Sequence, residues 1–423
     1  MREEVLPKIF RSLDLLAAKS GIFDVSLHAD RLVAIARRRT GLDDFGDWHF
    51  EEPLRVLTES YDREARLTPF GRLAARWDMV RFLSNLLRLR DEEKRDPSIV
   101  SEKIDRPIFV LGLPRSGTTF LHQLLSLDPD NRVPRCWQTI YPYPIDARTG
   151  AQDRRAEIVD RQFRNFLRIS PELPSLHPLD ARAAQECIEI TGQVMRSLRF
   201  DTTHYIPTYM RWLDDAGHLE AYRFHKRFLQ HLQHQVGPGP WMLKTPDHIF
   251  AFDALAEVYP DARFIFVHRD PMRVMASVAK LTEILRKPFA SFVDRLQIGR
   301  QVSERWVIGA GLLIHVAERL KTAPKRIWHL RYDDLVRDPL AQVAEIYRHF
   351  EMPLGAQAVA NLRHEIAARP DGGYGANSYS FKDFGLSEPE LRARFHDYVE
   401  HFQVECESRF APRKSREKVR AAR

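Results

Sequence analysis

Apolar positions along the chain follow two regimes. Up to residue 104 they recur at helical spacing, with Ile9, Leu13 and Leu16 in one group and Met79, Phe82, Leu83, Leu86 and Leu87 in another. No run there alternates as a strand does, so the pattern predicts an N-terminal helical region over residues 1–104 whose role is packing. Residues 91–106 are polar and charged and read as a connection. Ile108, Phe109, Val110 and Leu111 then form a short continuous apolar run. It has strand length, empties into a glycine-containing turn, and is followed by Leu121, Leu124 and Leu125 on one helical face.

After a stretch rich in proline and aromatics, the chain again reads as mostly helical to about residue 234, with Pro171, Pro174 and Pro178 as breaks. Residues 140–238 are too long for a simple crossover and form a candidate lid or acceptor-binding wall. Gly237, Pro238, Gly239 and Pro240 close that insertion. Strand-length runs then alternate with helical ones: residues 241–243, 264–267 and 327–330 are the strands. The helices between and after them carry Phe252 and Leu255, then Val274, Met275, Val278 and Leu281, then Val343, Ile346, Tyr347 and Phe350. The alternation predicts an α/β fold: a parallel β-sheet of phosphate-loop type, flanked by helices, that binds ligand at the strands' carboxyl ends. The expected organisation is a helical region at 1–104, an α/β domain at 105–410 and a basic tail at 411–423.

Composition narrows the class without naming a function. The hydrophobic fraction of 44% and charged fraction of 29% are those of an ordinary globular protein. No apolar run approaches the roughly 18 residues of a membrane span. The N-terminal stretch is charged from its second residue and lacks a signal-peptide pattern, so the expectation is a cytoplasmic protein. Cys136, Cys187 and Cys406 are odd in number and far apart, which argues against a disulfide framework and a zinc site. The net charge of +7 is spread along the chain and dense only in the tail, so nucleic acid is not an expected partner.

Three stretches carry chemistry. In the first, Gly112 and Gly117 let the backbone curl so that amide groups and a helix N-terminus point at one anion, and Arg115, Ser116, Thr118 and Thr119 add a cation and hydroxyls. A nucleotide-triphosphate loop has lysine after its second glycine; here Thr118 holds that place and the cation lies inside the loop. In the second, Asp270 is placed to cap a helix and Pro271 to open it. Arg269 therefore stands at a strand end, and Ser277 lies about two turns along the helix, a pair suited to a second phosphate. The tripeptide His268-Arg269-Asp270 imitates a kinase catalytic loop, but Met275 occupies the place of that loop's asparagine. In the third, Lys244 ends a strand just before Thr245, Pro246, Asp247 and His248.

These stretches resemble the sulfotransferases that use 3′-phosphoadenosine 5′-phosphosulfate (PAPS), in the loop PRSGTT, in the Arg269/Ser277 spacing and in the Lys-Thr of the third stretch. The resemblance spans about residues 105–400 and is that of a bacterial, phosphate-loop type member. It implies that Arg115, Ser116, Gly117, Thr118 and Thr119 hold the 5′ end of PAPS, that Arg269 and Ser277 bind the 3′-phosphate, and that Tyr332, in the segment HLRYDDL, helps hold the adenine. Lys244 would stabilise the leaving phosphate. Gly372, Gly373 and Gly375, with Tyr379 after them, resemble a loop that could close over the nucleotide.

The base that deprotonates the acceptor has three candidates. His248 has the right chemistry and neighbourhood, but Pro246 stands where the cytosolic enzymes place their histidine. Glu186 and His177 lie in the insertion, where related enzymes can place an acidic residue near the acceptor. The reaction implied is transfer of a sulfuryl group to a hydroxyl of a small molecule, lipid or sugar, and no metal is required. Two alternatives stand beside it: a nucleotide kinase or NTPase with a degenerate loop, and a non-catalytic nucleotide-binding protein. Trp137, Tyr141, Tyr143, Tyr209 and Trp212 make the insertion aromatic, compatible with an acceptor wall and with plain core.

Overall fold

The computed structural model of the protein describes residues 26–144, 153–168, 180–368 and 380–405. The helical pattern around Ile9, the three prolines at 171–178, His177, the glycine loop at 372–375 and the basic tail lie outside the described residues.

Four strands form one parallel sheet: β1 (Ile108–Gly112), β2 (Met242–Lys244), β3 (Arg263–His268) and β4 (Ile327–Arg331), in the spatial order β2-β1-β3-β4. Register places Val110 opposite Lys244 and Gly112 opposite Val267. Side-chain alternation divides the core into two layers. Ile108, Val110, Ile265 and Val267 pack with Leu121, Leu124, Leu125, Val343 and Ile346 on one face. Phe109, Leu111, Phe264 and Phe266 pack on the other, where the core continues into the N-terminal helices through Phe82, Leu83 and Leu86. Burial on both faces explains why β1 reads as a continuous apolar run.

Helices Ala29–Thr40, Glu51–Arg63 and Pro69–Arg95 make up the described N-terminal region. The last of these extends further than its sequence suggests. Residues 91–95 are charged, yet Glu93 is buried and receives hydrogen bonds from Arg90 at 3.2 Å and Arg227 at 3.0 Å, with His231 at 3.2 Å. Those partners on the insertion helix Leu219–Val236 keep the helix wound where a connection was expected. A 26-residue helix, Arg295–Leu320, also escaped the pattern reading, although Ile298, Val302, Trp306, Leu313 and Val316 mark its buried face. Among the described residues no helix is long and apolar enough to cross a membrane.

Candidate active site

The site lies along the carboxyl ends of the strands and begins with two glycines. Gly112 ends β1 with φ +151°, and a Cβ there would lie 2.5 Å from the Val267 carbonyl oxygen on β3. Gly117 has φ +99°, and a Cβ there would lie 2.7 Å from the Tyr332 ring. Neither position tolerates a side chain, so the glycines let the loop curl closely against β3 and Tyr332 into a cradle in front of the helix Thr118–Leu125, whose first-turn amides point along its axis. Ser116 is fully buried, its Oγ 2.9 Å from where a Cβ on Gly112 would lie and without a hydrogen-bond partner.

Arg115 adopts φ +63°, which turns it away from the loop's own helix, and its Nε donates to Ser277 Oγ at 3.2 Å. Arg269 donates from Nη1 to the Arg115 carbonyl at 3.0 Å, and its guanidinium lies 3.8 Å from the centroid of the Tyr332 ring. Arg115, Arg269, Ser277 and Tyr332 thus form one half-buried cluster drawn from the ends of β1, β3 and β4 and from the helix Pro271–Arg286 that follows β3. Arg115, expected at the 5′ end, stands with the Arg269/Ser277 pair. Behind it, the Asp270 carboxylate accepts from the Met272 amide at 2.9 Å and Pro271 opens the helix Pro271–Arg286, a cap contributing about 1 kcal/mol.

A second cluster forms at the end of β2. Lys244 is 2% exposed; its Nζ donates to Thr119 Oγ1 at 2.9 Å and forms an ion pair with Glu186. Thr245 Oγ1 donates to the other Glu186 oxygen at 3.3 Å, and the Cys187 amide donates to the Lys244 carbonyl at 3.0 Å, docking the Glu186 segment onto the strand. Thr245 was not among the sequence candidates, although it is adjacent to Lys244. Thr118 is buried beneath the cradle, and Thr119 is the hydroxyl that meets the lysine.

His248 does not join this cluster. It is fully buried, its Nδ1 is bonded to the Tyr222 hydroxyl, and its ring stands edge-on to Phe109 with centroids 4.9 Å apart. Burial, with the nearby Lys244 charge, holds its pKa well below the ordinary histidine value. Its Nε2 has no hydrogen-bond partner. Its neighbour Asp247 has one oxygen with no partner, and burial together with the Glu186 charge raises its pKa to about 7. The aromatics of the insertion are dispersed as packing: the Tyr209 hydroxyl donates to the Met195 carbonyl at 3.0 Å, and Trp137, Tyr143 and Trp212 lie against Arg155, Arg88 and Arg196.

A carboxylate and an ammonium beside an anion cradle, at the carboxyl edge of a parallel sheet, place the protein in the class of phosphate-loop α/β enzymes that transfer a group from a nucleotide. Comparison with known proteins makes the class specific. Residues 107–356, more than half of the chain, match the Sulfotransferase family, and the chain belongs to that family. It is similar to sulfotransferase STF1 from Mycobacterium tuberculosis H37Rv, with 33% identity, a TM-score of 0.75, and coverage of 86% of this chain and 97% of that one. It is also similar to sulfotransferase STF9 from Mycobacterium avium, with 30% identity, a TM-score of 0.83, and coverage of 92% and 100%. A further relative is omega-hydroxy-beta-dihydromenaquinone-9 sulfotransferase Stf3 of Mycobacterium tuberculosis, 27% identical over 286 residues, 65% of this chain and 70% of that protein. The protein is an enzyme that transfers a sulfuryl group to a hydroxyl acceptor, with PAPS the donor general to sulfotransferases. The kinase or NTPase alternative is not favoured.

Proposed function

We propose that the chain moves the sulfuryl group of PAPS onto the hydroxyl of an apolar, lipid-like acceptor, with Glu186 as the base and Lys244 as the cation at the leaving phosphate. The observation that carries this reading is that Lys244 Nζ bridges Thr119, at the mouth of the cradle, and Glu186. Only a donor lying between the cradle and the carboxylate could use both at once.

The residues fit the nucleotide. The glycines let the loop close tightly on Val267 and Tyr332 in front of a helix N-terminus, an arrangement that suits an anion, and cations stand at both of its ends. We assign the amides of the loop and first helical turn, with Thr118 and Thr119, to the 5′ end. We assign Arg269, Ser277 and Arg115 to the 3′-phosphate, with Tyr332 beside the nucleotide. When bound, PAPS supplies the sulfuryl group and a phosphate leaving group. Glu186 takes the proton from the acceptor hydroxyl as that oxygen bonds to sulfur. Lys244 and the helix N-terminus stabilise the negative charge that appears as the sulfur–oxygen bond to phosphate breaks. Because these groups are fixed before reaction, they need little reorganisation in the transition state. We place the acceptor against the insertion, residues 140–238, and infer its apolar character from the relative named for a hydroxylated menaquinone.

The test is thermal stability with adenosine 3′,5′-bisphosphate and, separately, with magnesium ATP. A ligand at about 100 times its dissociation constant adds roughly 2.7 kcal/mol to the folded state. Stabilisation by the bisphosphate alone, lost in Arg269→Ala, supports the assignment. Stabilisation by magnesium ATP alone overturns it.

A further inference from the structure

Behind Glu186 lies a closed ring of two acids and two arginines. Arg81 Nη2 meets Asp78 Oδ1 at 3.0 Å and Glu189 Oε1 at 2.6 Å. Arg199 Nε meets Glu189 Oε2 at 2.6 Å, and its Nη2 meets Asp78 Oδ2 at 2.8 Å. Each carboxylate uses its two oxygens on two different guanidiniums, and the ring is neutral. The Arg81 side chain is 5% exposed and that of Glu189 10%. Asp78 and Arg81 lie on the N-terminal helix Pro69–Arg95, outside the segment that matches the family. Glu189 lies one turn beyond Glu186, its amide donating to the Glu186 carbonyl at 3.2 Å. One turn further along the N-terminal helix, Asn85 donates to Gln193 at 2.9 Å, continuing the same contact.

Stability alone does not account for such a ring. Buried ion pairs seldom stabilise more than apolar side chains of similar volume, because desolvation offsets the Coulomb gain. Arg81 adds to the cost, since its Nε and Nη1 are buried without partners. What charge-assisted hydrogen bonds supply over apolar contacts is direction. The backbone on either side of Glu186 is held by the Gln185 amide on the Pro134 carbonyl at 2.7 Å and the Cys187 amide on the Lys244 carbonyl at 3.0 Å. Both bonds tie it to the sheet side of the site. The ring ties the turn that follows, through Glu189, to the N-terminal helix, and so helps set where the Glu186 side chain points.

We propose that Asp78, Arg81, Glu189 and Arg199 are positioning residues for sulfuryl transfer, through which the N-terminal helix orients Glu186 toward Lys244 and the acceptor. This rests on Glu186 being the base.

The experiment uses the full chain in three variants: Glu186→Gln, Arg81→Lys and the double variant Arg81→Met with Glu189→Met. The double variant leaves the Asp78/Arg199 pair intact and no unpaired buried charge, while Arg81→Lys keeps the charge on a side chain whose nitrogen reaches less far than the Nη2 that both carboxylates share. Displacing a reacting group by about 1 Å can cost on the order of 100-fold in rate. The expected result is a kcat lower by about 10- to 100-fold in the double variant and lower in Arg81→Lys. The dissociation constant for adenosine 3′,5′-bisphosphate should stay within about two-fold, and the acid limb of the kcat pH profile should shift with the moved carboxylate. A merely structural ring predicts a lower melting temperature with kcat unchanged, or nucleotide affinity and kcat falling together; either result overturns the inference. If the double variant does not fold, Arg81→Lys decides by the same criteria. If Glu186→Gln retains its kcat, the base assignment fails; if it is inactive while the ring variants match the wild type, only the positioning inference fails.

Discussion

Lys244 is paired with Glu186 through the same ammonium that donates to Thr119, so the proposed leaving-group cation also holds the proposed base. Removing the carboxylate should therefore separate chemistry from binding. In Glu186→Gln we expect kcat to fall by about 10²- to 10⁴-fold, the usual scale for loss of a general base. The dissociation constant of adenosine 3′,5′-bisphosphate, measured by calorimetry, should stay near the wild-type value. A variant that loses both in proportion would make Glu186 a structural partner of Lys244.

The donor half of the site can be tested at a glycine. Gly117→Ala places a methyl group 2.7 Å from the Tyr332 ring at a backbone φ of +99°. Tyr332 must move, and with it the face on which Arg269 rests. We expect bisphosphate affinity, measured by calorimetry, to fall at least ten-fold. No change in affinity on Gly117→Ala would mean that the cradle is not where the nucleotide binds.

His248 distinguishes core from catalysis. As a buried ring bonded to Tyr222 and packed on Phe109, it should act through stability. His248→Gln is expected to lower the melting temperature while leaving the shape of the kcat pH profile unchanged. A loss of about 100-fold or more in kcat at unchanged melting temperature would return His248 to the role of base.

Buried neutral histidines should make the fold acid-sensitive. Burial lowers the pKa of His204 and His225 to about 3 and that of His122 to about 4, against an unfolded value near 6.5. The unfolded chain then binds more protons than the native one across this window. Their contribution is complete above about pH 6.5 and is lost as pH falls through the window toward the folded values. Melting temperature should decline steadily from pH 6.5 to 4.5, and His225→Gln should reduce the slope. A flat profile over that interval would contradict the burial of these rings.

Which parts of this were legible in the sequence follows from distance along the chain. The strand, glycine loop and helix around residues 108–125, and the Asp270 cap with Pro271, each depend on a handful of neighbouring residues whose backbone preferences are local. That Ser277 lies about two turns along the helix after Arg269 was legible because a helix converts spacing directly into distance. The Lys244–Glu186 contact joins residues 58 apart in sequence, and the Arg81–Glu189 contact joins residues 108 apart. No local preference encodes either. Glu93 looked like a solvated charge for the same reason, since Arg227 and His231 reach it from the insertion.

The sequence by itself determined the alternation of strands and helices, the glycine loop before the helix Thr118–Leu125 and the Asp270 cap, because those rest on glycine geometry, capping and periodicity over a few residues. Tertiary structure alone decided the strand order β2-β1-β3-β4, the burial of His248 and the placing of Glu186 beside Lys244. Those outcomes depend on which apolar faces pack together, and a side chain becomes a core ring or a base only once its surroundings have excluded or admitted water.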